Sequence, residues 1–283
     1  MKKINNPRIG AHLPISKGLK STSDEAVKKG LESLQIFLRN PRGRGARNLT
    51  DDEINYFKRI TKDYNISPIV VHIPYICNPA SVKNDIYSFA YEVVLEDLKR
   101  CSLVGADYLV LHPGSHTTST LDQGIERVID LLNRVIDQHN GKTQILLELM
   151  SGQGTEVGKN FAELNQIING ITKSEKVGVC YDTCHAFAAG YECRTTDDID
   201  ELLNIINITV GTEKIKVVHA NDSAKELGSH RDRHTMIGEG FIGIQGFKAL
   251  MHNKFFKNLP FILETPIDTI DTDINTLKSI KNK

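Results

Sequence analysis

Several absences limit what this chain of 283 residues can be. It contains no apolar run near the roughly 18 residues of a membrane-spanning helix, and its start lacks the basic, apolar pattern of an export signal. Its 35 basic residues balance its 35 acidic residues, so no overall electric field attracts nucleic acid and any affinity for anions must be local. We therefore expect a cytoplasmic protein that has no membrane partner.

Disulfide and zinc-ribbon patterns are also missing. The five cysteines are odd in number and show no C-x-x-C spacing; they are Cys77, Cys101, Cys180, Cys184 and Cys193. We interpret them as reduced thiols, as is usual in the cytosol.

Eight short apolar runs alternate along the chain with helix signals. The runs are residues 8–12, 34–38, 69–72, 108–112, 144–148, 177–182, 215–219 and 261–264. Among the helix signals, Thr50 with Glu53 and Thr120 with Gln123 have the pattern of a capping box, and a further helix is predicted near residues 24–31. This number and length of β-α units predict an α/β fold, a single (β/α)8 TIM barrel domain over residues 1–283. A doubly wound open sheet is the alternative, but no G-x-G-x-x-G follows the first run.

Potential metal ligands end nearly every apolar run. The second run does not end in such a residue, but the others end in His, Asp or Glu, namely His12, His72, His112, Glu148, Asp182, His219 and Glu264. In a (β/α)8 barrel the C-terminal ends of the strands carry the chemistry. Because a buried charge is costly unless it is paired or bound to a metal, we predict a metal cluster at these strand ends.

Two further pairs could extend this cluster. His185 follows Asp182 by three residues at the predicted start of a helix, where both side chains can lie side by side. Asp232 and His234 lie two apart in a polar loop of about 20 residues, a length that is uncommon unless the loop is functional. The alternatives are that Asp182 only caps the helix while His185 packs, and that the loop is merely solvated.

The ligand inventory indicates the chemistry. Without His12, which we assign to a supporting or phosphate contact, nine candidates remain. Nine are too many for one zinc ion, which takes about four ligands, and suit two or three ions with a bridging carboxylate. A His and carboxylate set without thiolate suits Zn²⁺, Mn²⁺ or Fe²⁺. Such ions favour phosphodiester hydrolysis, in which they activate water and stabilise the leaving oxygen. A metal-dependent sugar isomerase or epimerase is the rival, and a damage-binding protein without catalysis is a third hypothesis.

Loops near the predicted barrel mouth could contact nucleic acid. Residues 39–47 follow the second run and contain four arginines, Arg39, Arg42, Arg44 and Arg47, which suit phosphate contacts. Tyr75 and Ile76 follow the third run and could wedge into a base stack. In the alternative interpretation these two side chains only cover the end of the barrel.

Several motifs resemble the endonuclease IV family, the zinc-dependent apurinic/apyrimidinic endonucleases of base excision repair. The resemblance covers essentially the whole chain. Its most specific pieces are residues 111–115 (LHPGS), 152–154 (GQG), 182–191 (DTCHAFAAGY), 219–222 (HAND), 232–234 (DRH) and 238–240 (GEG).

The resemblance implies a trinuclear zinc cluster, and manganese could replace zinc in part. His72, His112 and Glu148 would hold the first ion, and Glu148 would be the catalytic carboxylate. The second ion would share Glu148 with Asp182, His219 and Glu264, and the third would bind His185, Asp232 and His234.

The resemblance also implies the substrate. It would be duplex DNA with abasic sites or blocked 3′ ends, and the abasic nucleotide would be flipped out of the helix. Cleavage 5′ to the lesion would leave a 3′-hydroxyl. Arg42, Tyr75 and Ile76 would contact the DNA, and we expect a monomer.

Overall fold

Eight parallel strands close into a barrel, as predicted. The computed structural model describes residues 6–40, 43 and 45–282. Around the barrel the strands follow the order β1-β2-β3-β4-β5-β6-β7-β10, and β10 closes onto β1. The barrel strands are β1 (Arg8–Leu13), β2 (Ser33–Phe37), β3 (Ile69–His72), β4 (Tyr108–Leu111), β5 (Gln144–Glu148), β6 (Val177–Asp182), β7 (Ile215–Ala220) and β10 (Pro260–Leu263). Closure rules out the open doubly wound sheet.

Helices surround the barrel, and at least one follows each barrel strand. In the described part of the chain they are α1 (Gly18–Lys28), α2 (Asp51–Asp63), α3 (Asn84–Val104), α4 (Leu121–Asp137), α5 (Phe161–Asn169), α6 (Thr183–Ala189), α7 (Thr196–Thr209), α8 (Gly243–His252) and α9 (Ile270–Lys281). Both predicted capping boxes are confirmed, at the starts of α2 and α4. None of the helices described is both long enough and apolar enough to cross a lipid bilayer.

The predicted position of the first helix is wrong. We expected it near residues 24–31, but α1 begins at Gly18 and ends at Lys28. No side chain next to this start caps it; instead the Glu53 carboxylate of α2 accepts the N–H of Leu19 at 3.0 Å. Because this partner is distant in sequence, the local pattern carries no sign of the helix start.

Glu53 also pairs with Arg47, which makes part of the stability pH-dependent. The hydrogen bond from Arg47 is the largest influence and, against the effect of burial, lowers the pKa of Glu53 from 4.5 to about 2. Because the pKa is lower in the folded chain than in the unfolded one, this stabilisation is complete above about pH 4.5 and is lost as the pH falls through about 2. Arg47 is 43% exposed, so solvent screening limits the contribution to about 1 kcal/mol.

We therefore expect Glu53→Gln to lower the free energy of unfolding by about 1 kcal/mol at pH 7 and by progressively less towards pH 3. Urea unfolding of both proteins across this pH range measures the difference. A deficit of constant size at every pH would argue against the ion pair as its source.

An apolar layer fills the interior of the barrel beneath the C-terminal ends of the strands. It consists of buried residues from six strands, namely Val70, Val110, Leu146, Cys180, Val217 and Ile262. A larger apolar core lies between the barrel and the helices. Because side chains two residues apart on a strand point to the same face, the residue two positions after each member of the interior layer also faces the barrel axis.

Candidate metal centre at the mouth of the barrel

Six polar side chains form the next layer, between the apolar layer and the C-terminal mouth of the barrel. Each follows a member of the apolar layer by two residues; they are His72, His112, Glu148, Asp182, His219 and Glu264. They stand at the last residue of a barrel strand or within one residue of it. The structure thus brings six of the seven predicted strand-end residues together at the C-terminal mouth of the barrel. The seventh, His12, lies beside them, with Nδ1 3.7 Å from Glu264 Oε1.

Glu148 lies at the centre of this layer. Its Oε2 is 3.1 Å from His72 Nε2 and 3.2 Å from His112 Nε2, and we call these three residues the first group. Its Oε1 is 3.1 Å from His219 Nδ1. Burial alone would raise the pKa of Glu148, but the surrounding imidazoles, His219 above all, hold it well below its ordinary value. Glu148 is therefore ionised and turns one oxygen to each side of the site.

The second group consists of Glu148, Asp182, His219 and Glu264, whose ligand atoms all lie within 4.8 Å of one another. His219 Nδ1 is 3.3 Å from Glu264 Oε2 and 3.9 Å from Asp182 Oδ2. Burial raises the pKa of Asp182. Burial would also raise the pKa of Glu264, but the neighbouring histidines, His219 first among them, together lower it. Three carboxylates around one imidazole form a strongly anionic pocket that would attract a cation.

The third group consists of His185, Asp232 and His234. His185 Nε2 lies 3.4 Å from Asp232 Oδ2, and His234 Nε2 lies 3.2 Å from Asp232 Oδ1. Burial would raise the pKa of Asp232, but the two adjacent imidazoles keep it far below its usual range. The side chains of Asp232 and His234 therefore lie against each other and beside His185.

Asp222 anchors the loop that carries the third group. Its carboxylate accepts backbone N–H groups from both ends of the segment 238–243, including Gly238 at 2.9 Å and Ile242 at 3.0 Å. Two short antiparallel strands, β8 (Asp222–Ser223) and β9 (His234–Thr235), tie the loop to itself. Backbone N–H groups of Gly228 and His230 also donate to carbonyls of α6, at 3.0 and 2.9 Å, so several contacts hold the loop without involving Asp232.

Asp182 both caps a helix and faces the candidate metal site, two roles that the sequence analysis presented as alternatives. Its Oδ1 accepts the backbone N–H of His185 at 2.8 Å and so caps α6, while its Oδ2 faces the second group. His185 in turn faces Asp232, which belongs to the third group. The first turn of α6 thus places a carboxylate and an imidazole in two adjacent groups.

Backbone carbonyl groups orient two of the imidazoles through their Nδ1 atoms, although His185 Nδ1 also lies 3.4 Å from Glu148 Oε1. His72 Nδ1 donates to the carbonyl of Ile73 at 2.6 Å, and His185 Nδ1 donates to the carbonyl of Leu149 at 3.0 Å. This leaves Nε2 of each ring as a lone-pair donor towards the centre, which is how metal-binding histidines are usually held.

The residues present fit a set of divalent cations. Among the residues described, His185 Nε2 and His234 Nε2 are buried and have no hydrogen-bond partner, although both approach carboxylate oxygens. Burial would lower the pKa of His185 and of His219, but the neighbouring acidic groups raise both well above 6.5. The carboxylates of the three groups therefore stabilise positive charge at this site. Cys184 also lies near Asp182 and His234, where burial raises its pKa to about 12. The donors of the three groups are His and carboxylate side chains, which suit zinc or manganese.

Comparisons with known proteins agree with this arrangement. Residues 23–281 match the model of the family described as xylose isomerase-like TIM barrel. A protein of Halothermothrix orenii named Probable endonuclease 4 is 42% identical over 259 residues, which cover 92% of this chain and 93% of that protein. A protein of Clostridium beijerinckii with the same name is 40% identical over 275 residues, covering 96% and 98% of the two chains. The crystal structure of endonuclease IV from Thermus thermophilus superposes with a TM-score of 0.85 at 30% identity, covering 97% of this chain and 98% of that one.

This chain belongs to the endonuclease IV family. The resemblance found in the sequence motifs is thereby confirmed over nearly the full length. A D-tagatose 3-epimerase-like protein shares the barrel with a TM-score of 0.72, but at 21% identity it shows a common fold and no more. The sugar epimerase hypothesis therefore keeps only the support of the fold.

Two residues that our sequence analysis did not identify as functional form hydrogen bonds with members of the second group. Asn221 Nδ2 donates to Asp182 Oδ2 at 2.6 Å and to Glu264 Oε2 at 3.2 Å. Gln35, on the strand whose apolar run does not end in a candidate ligand, contacts both His219 and Glu264. The sequence could have revealed Gln35, because an amide inside an otherwise apolar strand must find polar partners.

The loop after β3 lies over the first group. Tyr75 is 58% exposed, yet its ring centroid is 5.6 Å from that of His72 and 5.7 Å from that of His112. Ile76 is 41% exposed beside it. Tyr75 thus covers part of the barrel end and also presents an aromatic surface at the mouth. Arg42, the other predicted DNA contact, lies outside the described residues.

The basic loop after β2 differs from the prediction at Arg39 and Arg47, whereas Arg44, like Arg42, lies outside the described residues. Arg39 is buried, and its guanidinium binds the Asp97 carboxylate of α3 through Nε at 3.0 Å and a terminal nitrogen at 2.8 Å. It also contacts Glu96 at 3.0 Å, and Arg47 is paired with Glu53. The expectation of a phosphate contact from Arg39 is wrong, because its guanidinium is paired in the interior with two acidic side chains of α3.

Because Asp97 is fully buried, we expect Arg39→Met to lower the free energy of unfolding by about 3–5 kcal/mol, measured by urea unfolding. The variant leaves a buried carboxylate without its main partner. The double variant Arg39→Met/Asp97→Leu removes both charges and should recover most of the loss. A single variant as stable as the parent would show that the pair contributes nothing.

Proposed function

We propose that this chain is a DNA-repair endonuclease that hydrolyses the phosphodiester 5′ to an abasic site in duplex DNA. The cut leaves a 3′-hydroxyl, and the same site trims blocked 3′ ends. The chain works as one barrel domain over residues 1–283 and as a cytoplasmic monomer. The observation that carries the proposal is the buried Glu148 carboxylate in a member of the endonuclease IV family, held between imidazoles of three other strands, those of His72, His112 and His219.

In this proposal the three groups hold three zinc ions, and manganese can replace zinc in part. Glu148 joins the first and second groups, since one of its oxygens faces each. Bound cations would lower the pKa of a water molecule and stabilise the charge that develops on the phosphate and the leaving oxygen. The nine ligands are His72, His112, Glu148, Asp182, His185, His219, Asp232, His234 and Glu264.

The charge balance of these side chains suits a phosphodiester. Four carboxylates set against three divalent cations leave two positive charges in excess, which attract one phosphate group. The carboxylates themselves would repel the phosphate that is to be cut, so the proposal requires the cations at the site of cleavage, while the loops supply most of the affinity for the duplex.

Recognition of the duplex is assigned to the loops at the mouth. Tyr75 and Ile76 would enter the base stack beside the flipped-out abasic nucleotide, because they are apolar, exposed and next to the first group. Arg42 would contact a phosphate, an assignment that rests on the sequence alone.

Incubation of the purified protein with an end-labelled duplex that bears one abasic site tests the proposal. We expect one cut, immediately 5′ to the lesion, that disappears with chelator and is absent on the matched intact duplex. Failure to cut with cations present, or a cut insensitive to chelator, would remove the proposed activity.

Tyr75→Ala should weaken binding to an abasic duplex by about tenfold, because stacking of one base on an aromatic ring is worth about 1–3 kcal/mol. Tyr64→Ala is the matched control, since Tyr64 is 59% exposed at the end of α2, where the chain enters the N-terminal side of the barrel. Fluorescence anisotropy with labelled duplex measures both. Equal affinities of the two variants would refute the role of Tyr75.

A further inference from the structure

Gln35 is a fully buried amide inside the barrel, at the same level as the candidate ligands. It lies on β2, two residues after Ser33, and both side chains point to the barrel interior. A buried amide without partners is costly, so its contacts show what holds it there.

All the hydrogen-bonding capacity of the Gln35 N–H₂ group is used. Its Nε2 donates to Glu264 Oε1 at 2.7 Å and to His12 Nδ1 at 3.0 Å. Its Oε1 accepts a hydrogen bond from His219 Nε2 at 2.8 Å. The reverse orientation of the amide would set its oxygen against the Glu264 carboxylate, so only this orientation is compatible with the three neighbours.

This orientation determines which nitrogen of His219 is free. Because Nε2 donates to Gln35, the lone pair of His219 belongs to Nδ1, which faces Glu148 Oε1 at 3.1 Å and Glu264 Oε2 at 3.3 Å. The same amide fixes the Oε1 side of Glu264 and leaves Oε2 towards His219.

We propose that Gln35 is a positioning residue that holds His219 and Glu264 in the arrangement required by the second group. The inference rests on the metal ligands of the proposed function. The side-chain partners of Gln35 are His12, His219 and Glu264, and the last two belong to the second group. Its loss therefore affects one of the three cations selectively, whereas general damage to the barrel would release all three.

The test counts zinc ions per chain and does not depend on incision. The variants are Gln35→Met, which keeps the length of the side chain but removes the amide, and Gln35→Asn, which keeps an amide one methylene shorter. Ser33→Ala is the matched control, because it changes an inward-facing buried polar side chain on the same strand. Each protein is loaded with zinc, dialysed against a competing chelator and analysed by mass spectrometry of the metal.

We expect three ions in the parent and in Ser33→Ala and two in Gln35→Met, with affinity for the lost ion lowered by about 10–100-fold. Gln35→Asn should lose the same ion to a smaller extent, and kcat for incision should fall in both while KM changes little. Three tightly held ions in Gln35→Met would overturn the inference. Loss of all three ions together with the fold in both variants would also overturn it, because Gln35 would then serve the core.

Failure of this inference differs from failure of the proposed function. A parent protein that holds three ions but does not cut abasic duplex removes the function and leaves the zinc counts to decide on Gln35. A parent that cuts, with Gln35→Met unchanged in zinc content and kcat, removes the inference alone.

Discussion

Glu148→Gln is expected to lower kcat for incision at an abasic site by about 10³-fold or more, because cations supply several kcal/mol of transition-state stabilisation and about 1.4 kcal/mol is a factor of ten. Glu148 shares its two oxygens between the first and second groups. A glutamine keeps the shape but loses the charge and sets an N–H₂ group against the imidazoles. The affinity for abasic duplex should remain largely intact, since the exposed loops that we assign to DNA recognition are untouched.

Single-turnover incision and anisotropy with the same duplex separate these two effects. Glu163→Gln is the matched control: Glu163 is also buried near the barrel mouth, but its carboxylate accepts backbone N–H groups of Gly158 and Lys159 and belongs to none of the three groups. It should cut at the parent rate. Equal losses of incision and binding in Glu148→Gln would mean that the carboxylate mainly maintains the architecture of the mouth.

Asp232→Ala is expected to release one of the three zinc ions that we propose and to lower incision by about 10–100-fold or more. Asp232 is the most exposed of the four carboxylates, at 36% of its side chain, and it bridges His185 and His234. Removing it takes away the negative charge between two imidazoles. The loop should stay in place because Asp222, not Asp232, anchors it.

Metal analysis and circular dichroism test this second expectation together. Glu226→Gln changes an exposed acidic side chain of the same loop and should keep three ions and full activity. Retention of all three ions by Asp232→Ala would remove Asp232 from the ligand set. Loss of the barrel signal in circular dichroism would instead show that the loop supports the fold.

Much of the site could be predicted because the barrel obeys a simple periodicity. Each of these strands places an apolar residue inside the barrel and a candidate ligand two residues later, as Val70 and His72 do on β3. The apolar runs reveal the strands, and parallel strands in a closed barrel bring their C-terminal ends to one place. A spacing of two residues in the chain therefore translates directly into a layer of ligands.

The parts that could not be predicted depend on partners that are distant in the sequence. Arg39 resembled a phosphate ligand until α3 supplied Asp97, and the start of α1 depends on Glu53 of α2. Gln35 lies in the one apolar run that does not end in a candidate ligand, and its role went unpredicted because its partner His219 lies across the barrel interior. Local pattern carries no information about such pairings.

Stepwise reconstitution of the stripped protein tests the central claim most directly. The protein is freed of metal with chelator, zinc is returned in measured steps, and the bound zinc per chain and the single-turnover rate on an abasic duplex are recorded on the same samples. Three cations held by the three groups predict a rate that rises steeply only as the third ion binds and then reaches a plateau. Full incision with one ion bound, or with none, would contradict the account.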